Sequence, residues 1–183
     1  MHFLTDFADQ AVVLPLALAM AVSFWLAGWP RAAIAWSVSI IVTFGVVAVA
    51  KLLVFAYGPP ALLPLLLSPS GHTASAALVY GGLACLLTGR APLSVRMLIA
   101  ACLFAATIGL TRVALRVHSA QDVLVGAAIG IVGTTLLAAL AGERPQRLRL
   151  VIPIGVAASV LVGFHGLHMP AEDWLHELAE PLK

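Results

Sequence analysis

The chain has 183 residues, 62% of them hydrophobic and 10% charged, with a mean hydropathy of +1.06. Soluble domains are apolar at about half of their positions, so this composition excludes an ordinary water-soluble globular protein and points to a bilayer. A net charge of +2, with the arginines spread between apolar runs, excludes the basic stripe that nucleic acid requires.

Met1 to Gln10 carries Asp6 and Asp9 and no lysine or arginine, unlike the positive start of a secretory signal, so the apolar run behind it is read as a retained span. Apolar runs at 9–28, 32–57, 71–89, 96–116, 120–141 and 149–168 each reach about the 20 residues needed to cross the hydrocarbon layer. They predict an all-α, polytopic membrane bundle of about six transmembrane helices, organised as a single domain over 1–183. The breaks carry turn punctuation: Gly28-Trp29-Pro30-Arg31, Gly58-Pro59-Pro60, Gly89-Arg90-Ala91-Pro92 and Gly142-Glu143-Arg144-Pro145. The tail 171–183 sets Trp174, Leu175 and Leu178 against Glu172, Asp173, Glu177 and Glu180, the pattern of a short helix lying at the membrane interface. Cys85 and Cys102 sit in apolar runs without CxxC spacing and are read as packing residues.

Alternate connections face the same side, so Arg31, Arg90, Arg96, Arg144, Arg147 and Arg149 share one face with Glu143 as its only acid. By the positive-inside rule that face is cytoplasmic. The other face then receives both termini, the uncharged connection 58–70, and the stretch around Arg112, Arg116, His118 and Asp122.

Those outer-face residues have the types that handle anions. Lys51 lies in the second run, about two turns before the outer break, where an ionisable group is costly and is by default a functional candidate; a lysine snorkelling to the headgroups is the competing reading. Ser68-Pro69-Ser70-Gly71-His72-Thr73 opens the third run, presenting unpaired backbone N–H groups to the outer side; ordinary capping explains everything there except His72. Between the fourth and fifth runs, Arg112 precedes His118, and Asp122 follows one helical turn later, within reach of the imidazole. Ser119 and Asp122 also fit a capping box, and one carboxylate can serve both the cap and the ring. The pair His165 and His168 is read as interfacial packing rather than as metal ligands. Gly126-Ala127-Ala128-Ile129-Gly130 is a GxxxG pattern, read as close packing within the bundle, with homo-oligomer formation as the alternative.

Pro69-Ser70-Gly71-His72, the Arg112, His118, Asp122 spacing and Lys51 before Pro59 together resemble the type 2 phosphatidic acid phosphatases, which share a core with vanadium haloperoxidases. The resemblance covers the motif core 51–122. It implies a lipid phosphate phosphatase of the inner membrane type, of bacterial kind, with its site facing the periplasm or exterior and using neither cofactor nor metal. His118 would form a phosphohistidine, Asp122 would orient its ring, and His72 would protonate the leaving alcohol. Lys51, Ser70, Gly71 and Arg112 would hold the phosphoryl oxygens of a membrane lipid. Two positions depart from the family pattern: Gly58 stands where an arginine is usual, and Thr111 where a serine is usual. Arg116, in a place where the family often has glycine, is expected to supply the missing positive charge. A phosphotransferase using the same phosphohistidine, and a catalytically silent lipid-binding protein, are the alternative functions.

Overall fold

The computed structural model of the protein describes residues 1–58, 68–88 and 95–182, all of whose regular structure is helical. The connections holding Pro59 and Arg90 lie outside the described residues, as does Lys183. The helices are α1 (His2–Asp6), α2 (Gln10–Leu26), α3 (Pro30–Tyr57), α4 (Gly71–Ser75), α5 (Gly81–Thr88), α6 (Val95–Ala114), α7 (Ala120–Ala141), α8 (Val151–Phe164) and α9 (Ala171–Ala179). A π-helical segment, Ala76–Tyr80, joins α4 to α5. All six predicted runs are helical. Among the described residues, four stretches are long and apolar enough to cross a membrane: His2–Leu26, Pro30–Tyr57, Val95–Ala114 and Ala120–Ala141. The chain is an integral membrane protein built as a helical bundle.

The third run departs from a plain helix at its π segment, which widens one turn and leaves a carbonyl short of its usual partner. The hydroxyl of Thr134 on α7 lies 2.9 Å from both Ala77 O and Gly130 O, so its one proton is shared between the π segment and its own helix. The sixth run is helical only over the 14 residues of α8. That is short of the length a full crossing needs.

Packing is of the membrane kind. Trp36, Phe24, Leu16, Met20, Leu78 and Leu137 form the fully buried centre, and Trp36 donates its indole N–H to Ala17 O at 2.9 Å. Leu18, Ile41, Leu103, Leu124 and Val162 point outward, so the helices are apolar on both faces, as lipid-facing helices must be. Where backbones come closest the chain uses glycine. A Cβ on Gly126 would meet the backbone of Ser70, and one on Gly130 the backbone of Ala74. The GxxxG pattern is therefore the seam between α7 and the start of α4. Cys85 packs with Met97 and Ala138 in a small satellite cluster.

The bundle has two chemically different ends. At one, Arg31 Nε donates to Leu140 O at 2.8 Å and Arg144 donates to Leu87 O, so these arginines close the last carbonyls of neighbouring helices. At the other, the end of α3, the start of α4, the end of α6 and the start of α7 meet. Ser70 N–H bonds to Asp122 O at 3.0 Å and locks two of these ends together.

Candidate active site

A cavity of about 620 Å³ opens at that second end and is lined by Lys51, Gly71, His72, Arg112 and His118. Its volume is within the range of small-molecule sites. Five of the eight residues singled out from the sequence thus border one space. Asp122 touches it through His118. Ser70 and Arg116 have other places.

His118 follows the turn after α6, held where Ser119 caps α7. The capping box is complete: Ser119 Oγ accepts from Asp122 N at 3.2 Å and Asp122 Oδ2 accepts from Ser119 N at 2.9 Å. The same Oδ2 lies 3.5 Å from His118 Nδ1. One carboxylate therefore anchors the helix start and faces one imidazole nitrogen, leaving Nε2 for the cavity. Burial, and then the charge of Lys51, hold the His118 pKa below the usual histidine value, which favours a neutral ring.

Lys51 is only 5% exposed, yet its ammonium is well partnered: Nζ donates to Glu172 Oε1 at 2.7 Å and to Ser68 Oγ at 3.1 Å. Arg112, in the last turn of α6, donates from Nη1 to Thr5 Oγ1 at 3.3 Å. Its Nε is buried and has no hydrogen-bond partner among the described residues. A buried, unpartnered guanidinium donor at a cavity is a place where an anion oxygen would be stabilised.

Ser70 is fully buried as the N-cap of α4, its hydroxyl accepting from Thr73 N at 3.4 Å and Thr73 Oγ1 at 2.9 Å. Its oxygen accepts at the helix start and lies off the cavity lining, and it is Gly71 that borders the cavity. Arg116 is exposed and does not line the cavity; its φ of 56° places it in the left-handed region, at the turn that ends α6. That geometry explains why glycine suits this position. The structure thus gives Arg116 no role in replacing the charge absent at Gly58. Gly58 itself has φ 73° and terminates α3, a conformation an arginine would adopt only with strain.

Three acids and the two ends of the chain complete the wall, and sequence reasoning assigned them no part in the site. Asp9, the N-cap of α2, puts Oδ2 at 3.8 Å from His72 Nε2. Asp6 Oδ1 meets His168 Nε2 at 3.1 Å, and His165 packs on Phe3 and Phe7. The two histidines thus tie the chain's ends together, as a packing pair. Glu172 reaches Lys51 from α9, whose His176 ring stacks on Phe55 at 3.7 Å. Burial works to raise the Glu172 pKa, but the hydrogen bond and charge of Lys51 outweigh it and hold the carboxyl below its usual range. The tail expected to lie only at the interface is therefore also a wall of the cavity. The available signal was topological: both termini were expected on the side of the bundle that holds His72 and His118.

Residues 61–146 match the model of the PAP2 superfamily. That span includes Ser70, Gly71, His72, Arg112, His118 and Asp122, while Lys51 and every acid facing the cavity from the chain's ends lie outside it. Neither the curated proteins nor the solved structures yield a match. Members of the superfamily are phosphatases, which supports a hydrolase of phosphoric esters. Residues 61–146 of this membrane protein are a PAP2 superfamily region.

Proposed function

We propose that the protein hydrolyses a phosphomonoester or diphosphate carried by a membrane lipid, at the outer face of the membrane, through a phosphohistidine on His118 and without a metal ion. The observation that carries this reading is the shared cavity: two imidazoles, His72 and His118, stand at one space with Arg112, whose buried Nε has no partner among the described residues.

In the first step His118 Nε2 attacks phosphorus, its Nδ1–H directed at Asp122. A P–N bond forms as the P–O bond to the lipid alkoxide breaks, and His72 delivers a proton to the departing oxygen. In the second step water attacks phosphorus, its proton passes to His72, the P–N bond breaks and orthophosphate leaves. Charge gathers on the non-bridging oxygens throughout, so fixed donors from Arg112, Lys51 and the Gly71 N–H are what most lowers the barrier. Lys51 must exchange Glu172 for the phosphoryl group to take part. The apolar side of the cavity, with Leu14, Phe44, Val47, Trp174 and Leu175, suits a hydrocarbon chain beside the phosphate.

The test is phosphate release by the purified protein in detergent from a panel of lipid phosphates in EDTA, with His118→Ala alongside. Release by the wild type alone supports the proposal and ranks substrates. Phosphate passing only to an added alcohol would show a transferase instead. No turnover of any lipid by folded protein would remove the hydrolase reading.

A further inference from the structure

His72 is proposed above as the proton donor, and charged groups meet it from three elements. Burial of the ring, and then Arg112 facing it from α6, disfavour an imidazolium. Two carboxylates oppose that effect, Glu172 from α9 and Asp9 from the cap of α2. Glu172 is committed to Lys51 at 2.7 Å, which leaves Asp9 as the carboxylate nearest the ring, 3.8 Å from Nε2.

Asp9 is also the better fixed of the two. It is 6% exposed, and its Oδ1 accepts from Ala11 N at 2.9 Å and Met169 N at 3.0 Å. Both bonds fall on one oxygen, and the other is turned to His72. A cap alone needs only the first oxygen. The second contact is long, as catalytic contacts often are before substrate closes the site.

We infer that Asp9 is the positioning residue of the proton donor: it turns His72 so that Nε2–H meets the carboxylate and Nδ1–H is presented to the oxygen leaving phosphorus, and its charge favours the imidazolium that must donate there. This rests on the hydrolase reading and on His72 as its acid. It gives the site two histidine–carboxylate pairs with opposite tasks. Asp122 serves the ring that must be neutral to attack, and Asp9 serves the ring that must be charged to donate. It also makes the segment before α2, outside the superfamily region, part of the catalytic apparatus.

The discriminating variant is Asp9→Asn. Its amide oxygen still accepts from Ala11 and Met169, so the cap survives, but the charge beside His72 is gone and the amide N–H favours the neutral ring. Two substrates are compared at matched chain length: the phosphate of a long-chain alcohol, whose alkoxide needs a proton to leave, and that of a nitrophenol bearing the same chain, which does not. Expected for Asp9→Asn is a kcat/KM, which reports the steps up to the phosphohistidine, about tenfold lower on the alkyl phosphate, a basic limb of its pH profile moved to lower pH, and a kcat/KM on the nitrophenyl phosphate within about twofold of wild type. His72→Ala shows the same selectivity more strongly, the double variant adds no further selectivity, and Asp9→Glu restores the limb. The ratio between substrates does not depend on the fraction of protein folded, so a destabilised variant still reports. Equal losses on both substrates, or full activity of Asp9→Asn beside a selective His72→Ala, would overturn the inference alone. A His72→Ala that loses both substrates equally removes the acid role and Asp9's with it, and a wild type that releases no phosphate overturns the hydrolase reading as well.

Discussion

The central part of the chain and its two ends contribute opposite things to one cavity. From the superfamily region come the histidines, Arg112 and the backbone of Gly71; from the ends come Thr5, Asp9 and Glu172, a hydroxyl and two carboxylates that meet those groups or Lys51. On the proposed mechanism the centre supplies the groups that bind and attack phosphorus, and the ends supply partners that hold those groups in place before a substrate arrives. A cluster of cations in a poorly hydrated pocket is expensive without counter-charge. Carboxylates that a phosphoryl group can displace answer that need at little cost to binding.

The difference predicts unequal sensitivity. Arg112→Ala removes the donor proposed to hold the phosphoryl oxygens and is expected to lower kcat/KM by about 10²- to 10³-fold. Glu172→Gln removes the competitor for Lys51 and the more distant of the two carboxylates that favour a protonated His72, so KM for the lipid phosphate falls severalfold while kcat stays within about threefold. Steady-state kinetics on both variants decides the matter; a Glu172→Gln loss as large as that of Arg112→Ala would make the ends as catalytic as the centre.

Next in size is a packing effect at the seam that carries the centre. A methyl added at Gly126 points into the backbone of Ser70, a fixed part of the α4 start that cannot move aside like a side chain. Gly126→Ala is expected to destabilise by about 1–3 kcal/mol and to lower activity by displacing His72. Gly155 and Gly163 on α8 have open space where a Cβ would go, so Gly163→Ala should leave the melting temperature and activity unchanged or slightly raised. Thermal melts in detergent test the pair.

How much of this could be read in the sequence follows the same division. Apolar runs separated by Gly and Pro determine the helices locally, and the six expected runs each begin and end within a few residues of the observed helices. The motif Ser70-Gly71-His72 and the spacing from Arg112 to Asp122 were legible because each is short and sits at a helix start, where local geometry fixes side-chain direction. Asp9 and Glu172 were not, since each meets its partner across more than sixty positions of sequence through the docking of one end of the chain. Ser70 looked like a phosphate ligand because capping and anion binding use the same residue type. Only the hydroxyl of Thr73, already bonded to it, separates the two.

The pH profile tests the centre from another side. Burial and the charge of Lys51 hold the His118 pKa below its ordinary 6.5. His118, the proposed nucleophile, therefore stays neutral to below pH 6.5, and the acid limb of kcat/KM is expected beneath that value. Lys51→Met, which removes the charge, should move the limb upward. The sign for stability is the same: above 6.5 the ring is neutral folded or unfolded, and as pH falls below 6.5 the unfolded chain takes the proton first. The stability present above 6.5 is then lost progressively until the folded pKa is passed.

The smallest effect is expected where sequence reasoning placed a compensating cation. Arg116 has φ 56°, is exposed, and ends α6 through Arg116 N to Val113 O at 2.9 Å and Val117 N to Arg112 O at 3.2 Å. A side chain in the left-handed region costs about 1–2 kcal/mol, which glycine avoids, although glycine also gives the unfolded chain more freedom. Arg116→Gly should therefore keep activity within about twofold and leave the melting temperature equal or higher, while Arg112→Gly loses at least the roughly 10²- to 10³-fold expected of Arg112→Ala. Loss of activity in Arg116→Gly with an unchanged melting temperature would return the missing charge of position 58 to Arg116. Retention would mean that the cavity works with Lys51 and Arg112 as its fixed cations, and that its carboxylates from the chain's ends act on a site already short of positive charge.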